Sequence, residues 1–512
     1  MTKFVPKEVL GDSTFVSVYD PESGDTGYAR MGDLVDKSET TVTAVTSPGG
    51  GIALSAGDEV LQYVAVVQQG IGAELPARPA ADIVHWYSHD YIATDLLHPY
   101  DQVFPSGPLR LFERGAPGAV HDFSNAHAVV TAPELNGPID KILDASPRLN
   151  DGTAAGSARP LKTGRVNLLP TTETLSAWDK LTGGAGSVPV ITPAAGLAPN
   201  GTMTAVRVDF NIQDAGNVAN VSRLRIVHTS PQGTRYKSRF AYKAFSAADV
   251  GKTFRIVREN VVTGGTVVLT LGADWQVFED VTERSGTGTT LNFILDQRGT
   301  FTAASASALF AEIDLRYEGS VAQLPPYQSI TADDSYDVAG FPVAAGFNGT
   351  DKAVSVSAAG GAATQCFWAG AIELGKIAAV QTLFSDAGTN TGYHVRINAS
   401  NQLEFSAGNG SAYTSVATTR ALKIGERAVC TAWHDGVNLY VQLDDGDIAS
   451  AAFATATAGT AGYTIGKDNG AATSYFSGKL FCYLYLRDRL LTADERAQVR
   501  AYCAGKAKSV AT

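Results

Sequence analysis

The residues with the most chemical potential form a histidine-rich run. His85 and His89 are four apart, with Asp90, Asp95, His98, Asp101, His121, Asp122 and His127 near by. On a helix the first two would share a face, as a pair of metal ligands does. No Glu follows His85 directly, so the zinc-protease pattern is missing, and the interleaved Trp86, Tyr87, Tyr91 and Tyr100 suit a structural segment of hydrogen-bonded aromatics better than a metal centre. Nucleophilic chemistry lacks a Gly-x-Ser-x-Gly elbow or a phosphate-binding loop. The adjacent carboxylates Glu279-Asp280 and Asp444-Asp445 would point to opposite faces of a strand, so neither pair suits glycoside hydrolysis. The expectation is a protein that does not catalyse.

Binding is better supported. A polyhydroxylated ligand needs aromatic faces for its C–H surfaces and polar side chains for its hydroxyls. Candidates late in the chain are Asp386, Asn390, His394, Arg396, Asp435, Asp468, Asn469 and Tyr475; earlier ones are Arg235, Tyr236, Arg239 and Trp275. Trp368 and Trp433 lie inside strand patterns and are expected in a core. Asp386 and Asp468 are oxygen donors on expected loops, where calcium is the cation to weigh, but no dense Asp/Asn cluster accompanies them. No other cofactor is expected.

Strand periodicity positions the late candidates. Val354 and Val356 alternate with serines; Tyr393, Val395 and Ile397 with His394 and Arg396; Leu439, Val441 and Leu443 with Tyr440 and Gln442; and Leu480, Cys482, Leu484 and Leu486 with Phe481, Tyr483 and Tyr485. Such alternation sends one set into a core and the other to an outer face. Asp445-Gly446 signals a hairpin turn, and Thr492 with Glu495 a capping box opening a helix that ends before Gly505. The ordered motifs Phe347-Asn348-Gly349-Thr350-Asp351, Phe367-Trp368, Gly392-Tyr393-His394-Val395-Arg396-Ile397, His434-Asp435-Gly436, Tyr463-Thr464-Ile465-Gly466, Tyr475-Phe476-Ser477-Gly478 and Asp488-Arg489-Leu490-Leu491 span 341–495. This set resembles the laminin-G-like, concanavalin-A-like lectin domain, which implies a two-sheet sandwich with a binding role.

Upstream, Asn167-Leu168-Leu169-Pro170, Trp178 and Pro199-Asn200-Gly201-Thr202 precede alternations at Val206 to Ile212, Leu224/Ile226, Phe240/Tyr242, Phe254/Ile256, Val267 to Leu271, Leu291 to Leu295 and Ile313 to Tyr317. These resemble a carbohydrate-binding-module jelly roll, closed by the stiff Leu324-Pro325-Pro326-Tyr327. At the start, a strand at Phe15-Val16-Ser17-Val18-Tyr19, a turn over 20–25 and a second strand lead into Met31-Gly32-Asp33-Leu34, which resembles the attachment end of tailed-phage tail fibres. Ser47-Pro48-Gly49-Gly50-Gly51 reads as a boundary, and Val60, Leu61, Val64 and Val67 share one helical side. The expected fold is mainly β. An attachment unit occupies 1–45, an irregular connecting and oligomerisation domain 46–163, a jelly roll 164–327, and a lectin sandwich 328–512 that folds alone from about Ser335.

Composition sets the outer limits. The chain has 512 residues, 44% hydrophobic, 18% charged, with 52 Gly, a mix that favours turn-rich β structure. A net charge of -11 without a basic run argues against nucleic acid as a partner. No stretch approaches the roughly 20 apolar residues of a membrane span, and residues 1–10 do not read as a secretory leader. The four cysteines, Cys366, Cys430, Cys482 and Cys503, lack Cys-x-x-Cys spacing and read as buried thiols. The combined resemblances imply a tail fibre or receptor-binding protein of a tailed phage. It would be made in the host cytoplasm and carried on the virion, with its N-terminal part on other tail proteins. It would recognise a host surface glycan or protein as a homotrimer joined before Gly164. The alternatives are a baseplate or decoration protein, a polysaccharide depolymerase and a bacterial surface lectin. The last two are disfavoured by the missing parallel β-helix repeat and the missing leader.

Overall fold

The computed structural model describes the strands within 15–66 and residues 118–508. It omits 124–128, 131–134, 145–149, 230–232, 263–264, 286–289, 299–302, 321–323, 333–334, 358–364, 460–461 and 470–473. Among the described residues the chain is built of antiparallel sheets with one α-helix. No helix among the described residues is long and apolar enough to cross a membrane. The expected hairpin at the start is present, Phe15–Tyr19 pairing with Thr26–Arg30. The Pro-Gly-Gly run is not a boundary, because it joins Val42–Thr46 to Gly51–Ala56 as neighbours in that same sheet. The helical reading of 60–67 also fails. Leu61–Val66 is a strand paired with Gly51–Ala56, consistent with the β preference of its valines and tyrosine.

The middle unit is a sandwich of two five-stranded sheets. One runs Asp179–Gly183, Val221–Thr229, Thr290–Arg298, Thr253–Glu259, Thr266–Thr270; the other runs Ser187–Gly196, Ala205–Asn211, Ser305–Tyr317, Arg235–Ala244, Gln276–Glu283. The inward set of each alternation closes one core. Phe240, Phe254, Phe293 and Phe310 pack edge-on and tilted there, and Trp178 stands edge-on to Phe293 at 5.9 Å.

The C-terminal sandwich is larger than expected and begins earlier in the chain. Its nine-stranded sheet runs Tyr413–Ala421, Gln402–Asn409, Thr391–Ile397, Gln381–Ser385, Tyr463–Ile465, Val354–Val356, Gly152–Thr153, Lys141–Ile142, Val129–Val130. Its eight-stranded sheet contains Leu161–Thr163, Ala344–Asn348, Ser477–Arg487, Cys366–Leu374, Arg427–His434, Asn438–Leu443 and Ala449–Ala452, with Gly118–Asp122 added beside Ser477–Arg487. Five strands from 118–163 are thus hydrogen-bonded into the C-terminal sandwich, and the middle sandwich is an insertion within it. The expected connecting domain over 46–163 has no described core of its own. Proline-rich spacing hid this, and four of the five strands are only two or three residues long and carry almost no periodicity.

The helix Ala493–Ala507 lies against the outer face of the eight-stranded sheet. Val499, Tyr502, Cys503 and Ala507 pack on Phe367, Ala369, Ala371, Phe481 and Leu484. Its capping box forms as expected, with Glu495 N donating to Thr492 Oγ1 at 3.2 Å, but the helix runs through Gly505 to a left-handed Lys508. Cys366–Leu374 is consequently buried on both faces. A register shift opposite Ala371 and Ile372 alters the facing of Ser477–Arg487. Tyr483 and Tyr485, expected on the outside, join Leu480 in the inter-sheet core, while Cys482, Leu484 and Leu486 face the helix. The four cysteines are buried thiols.

His121 lies in the first of the early strands, stacked on Tyr483 at 5.6 Å, with Nε2 donating to Asn150 O at 3.0 Å. Burial holds its pKa down at about 4, although the Asn150 carbonyl and Asp151 pull it up. Two expectations follow. A fragment starting at Ser335 lacks five strands and will stay unfolded or aggregate. Residues 118–512 with 167–333 replaced by a short Gly/Ser linker will keep a cooperative β-type melt by circular dichroism. Second, the unfolded state takes up His121's proton from about pH 6.5 downward while the folded state resists until about 4. This contribution is therefore complete above pH 6.5 and lost as pH falls through that window. Relative to His121→Gln, the wild type should lose roughly 2 kcal/mol between pH 7 and pH 5 in urea titrations.

Candidate functional site

With the helix covering the eight-stranded sheet, the outer face of the nine-stranded sheet is where the sandwich can meet a ligand. Strand register sets Thr153, Ser355, Thr464, Ser385, His394, Ser406 and Ser415 in one row across it. Their neighbours Val356, Phe384, Tyr393, Val395 and Phe405 point into the core. Alternation therefore sends a band of hydroxyls to the side away from the core with His394 within it; Thr153, Ser355 and Ser415 are exposed, while Ser385, His394, Ser406 and Thr464 are buried. One row further, Gly392, Gly408 and Tyr413 are in register. A Cβ on Gly408 would lie 2.2 Å from Asn390 O, and Gly392 has φ +72 with Asp386 Oδ1 2.7 Å from its would-be Cβ, so glycine is required at both.

Four sequence candidates converge here. Ser385 Oγ donates to Asp468 Oδ1 at 3.2 Å and accepts from the backbone N–H groups of Ala387 and Asn469, each at 3.2 Å. Asp468 Oδ2 lies 3.4 Å from His394 Nδ1, and the His394 ring meets Tyr413 edge-on at 4.7 Å. His394 Nε2 is buried without a hydrogen-bond partner among the described residues. Asp386 is buried behind them, its Oδ1 accepting from Tyr393 N at 2.5 Å. Burial raises its pKa to about 6, against the pull of that hydrogen bond and of Arg487. Asn390, at φ 55, donates to Ser411 O at 2.8 Å and so fixes the 386–392 loop against the turn that carries Tyr413. The Tyr413 hydroxyl reaches Gly388 O and Thr391 O at 2.6 and 3.0 Å. Arg396 flanks the band, bonded to Glu404 and to Ser406 Oγ at 3.4 Å.

The other candidates lie elsewhere. Asp435 serves its own turn, accepting from Val437 N and Asn438 N at 2.8 and 2.7 Å and from Tyr440 OH at 2.9 Å. Tyr475 bridges Thr382, near the start of Ser385's strand. In the middle sandwich Tyr236, expected as a ligand contact, is instead fully buried in the core on the same side of its strand as Phe240 and Tyr242. Arg235 pairs with Glu318 at 2.9 Å and Arg239 with Glu312 at 2.9 Å, while Trp275 lies under Lys243 Nζ at 5.0 Å. Sequence reasoning missed Tyr413, Ser385, Ser406 and Ser415. The outward positions Ser406 and Ser415 resembled loop composition rather than a strand face.

Metal chemistry finds no fit. Among the described residues no three His, Cys, Asp or Glu side chains are grouped to hold an ion. The Asp386 carboxylate, with its raised pKa and an oxygen committed to Tyr393 N, is a poor calcium ligand. Of the histidine run only His121 is described, and its Nε2 is committed to a backbone carbonyl; His85, His89, His98 and His127 lie outside the described residues. The arrangement is instead a fixed set of donors and acceptors beside a tyrosine and a histidine ring.

No family model matches the chain, and no curated protein matches it. Solved structures similar to parts of it have low identity to this chain and low TM-scores. A sialidase module from Ruminococcus gnavus, described as CBM40 bound to α2,3-sialyllactose, is 15% identical over 27% of this chain and 83% of its own, with a TM-score of 0.24. The LG4-5 domains of the mouse laminin α1 chain are 14% identical over 50% and 84%, TM-score 0.24. A SAP-like pentraxin from Limulus polyphemus is 14% identical over 30% and 80%, TM-score 0.24.

Proposed function

We propose that this protein binds carbohydrate, without cleaving it, on the outer face of the nine-stranded sheet. The observation that carries the reading is the hydroxyl row through His394, bordered by Tyr413. The exposed hydroxyls of Thr153, Ser355 and Ser415 can exchange hydrogen bonds with sugar hydroxyls, and the half-buried Tyr413 ring offers an apolar face beside them.

The wider reading is a tail fibre or receptor-binding protein of a tailed phage that recognises a host surface glycan. It is supported by the order of a short β unit, a jelly-roll-like sandwich and a laminin-G-like sandwich along one chain. The N-terminal unit would attach to other tail proteins. A homotrimer would multiply a weak site into avid binding. Its contacts would be made before Gly118, since 118–163 contributes strands to the sandwich itself. Light scattering on the full chain, expecting three copies, tests the assembly.

The site is tested by glycan-array binding of the wild type followed by titration of its best ligand. Tyr413→Ala should weaken binding roughly tenfold, about 1.4 kcal/mol, with the circular dichroism melt retained. His394→Ala should weaken it as well, and Asp435→Asn should leave it unchanged. Unchanged affinity in Tyr413→Ala, or release of reducing ends from the bound polysaccharide, would refute the reading.

A further inference from the structure

The middle sandwich carries an arginine cluster that its own stability does not account for. On the sheet that includes Val221–Thr229, Thr253–Glu259 and Thr290–Arg298, the inward positions Leu224, Phe254, Ile256, Phe293 and Leu295 fill the core, so Arg223, Arg255, Asp296 and Arg298 share the outer face. Strand register places Arg223 and Arg255 on opposite sides of Asp296. Asp296 is fully buried, and its Oδ2 accepts from Arg255 Nη2 at 2.5 Å and from Arg298 Nε at 2.9 Å. The buried Nε of Arg223 has no hydrogen-bond partner among the described residues. The adjacent Arg225 is matched by Asp179 at 2.9 Å and adds no excess.

Two guanidinium groups therefore share one carboxylate, and Arg223, opposite it in the register, pairs with no acid among the described residues, an excess of two positive charges in a chain whose net charge is -11. One arginine would satisfy Asp296; three held within neighbouring strands repel one another. The guanidinium fork matches oxyanions in two-point geometry, and Arg255 and Arg298 keep side-chain exposures of 18% and 35%. Val268, opposite Arg255 in the register and 55% exposed, provides an apolar patch beside them. We propose that this face is a second binding site, for saccharides bearing sulfate or phosphate esters: the arginines take the ester oxyanion and Val268 the C–H face of the ring. The site is in a different sandwich from the His394 row and does not depend on that reading.

The test is binding of the full-length protein to dextran sulfate, a phosphorylated mannan, neutral dextran and duplex DNA, at low and physiological salt. Retention by at least one esterified glycan, weakened by salt, and none by neutral dextran is expected; which glycan is retained identifies the ester. Arg223→Ala and Arg298→Ala should each weaken it roughly tenfold. Arg223→Lys should recover part of the loss, and Tyr413→Ala should leave it intact. Should a variant fold poorly, protection of Arg223 and Arg298 in the wild type from phenylglyoxal by the bound glycan, read by mass spectrometry, gives the same answer. Equal binding of neutral dextran or of DNA, unchanged affinity in the variants, or lack of protection would overturn the proposal.

Discussion

Gln328 is wholly buried where the chain passes twice between the two sandwiches, and every polar atom of its side chain is engaged. Its Oε1 accepts from Val166 N and Asn167 N at 2.7 and 3.0 Å, and its Nε2 donates to Gly164 O and Asp337 O at 2.9 and 2.8 Å. Asn167 answers with Nδ2 donating to Ile313 O and Gln328 O, both at 3.0 Å. Two chain segments crossing a buried junction would otherwise carry unsatisfied backbone groups, each costing about 1–3 kcal/mol. The clasp lets the C-terminal sandwich be assembled from strands on both sides of the inserted middle sandwich while both chain ends of that insertion stay together.

A buried ion network extends the junction to the helix. Lys479 Nζ reaches Arg165 O and Glu373 Oε1, both at 2.6 Å; Arg427 Nε reaches Glu373 Oε2 at 2.9 Å, and its Nη1 reaches Ala507 O at 2.9 Å. Burial raises the Glu373 pKa, but Lys479 and Arg427 outweigh it and hold the carboxyl below its usual value. The start of the insertion, the eight-stranded sheet and the end of the helix are thereby tied together. The helix in turn covers that sheet's outer face and leaves the nine-stranded sheet's outer face to carry the polar row. Placement of the candidate site thus follows from which sheet the helix occupies.

The β class, two sandwiches, the strand alternations of 205–317 and 341–487 and the capping box were legible because each is a local pattern of core and surface side chains. Asp386, His394, Asp468 and Asn469 were legible as individual polar residues. Their meeting around Ser385 was not, because it depends on cross-strand register over more than 80 residues of sequence. Tyr236 was misplaced although it shares the parity of Phe240 and Tyr242, whose alternation already marks the inward side of that strand.

Sequence alone determined the period, and so the residues that travel together on each face: His394 with Arg396, Tyr393 with Val395. Tertiary structure alone decided where those faces look and which strands are neighbours. The short strands of 118–163 have too few residues to show a period, and they acquire identity only when long strands offer them unpaired backbone groups. The same holds for Tyr483 and Tyr485, whose facing is set by a register shift against Cys366–Leu374 that leaves no mark in their own residue types.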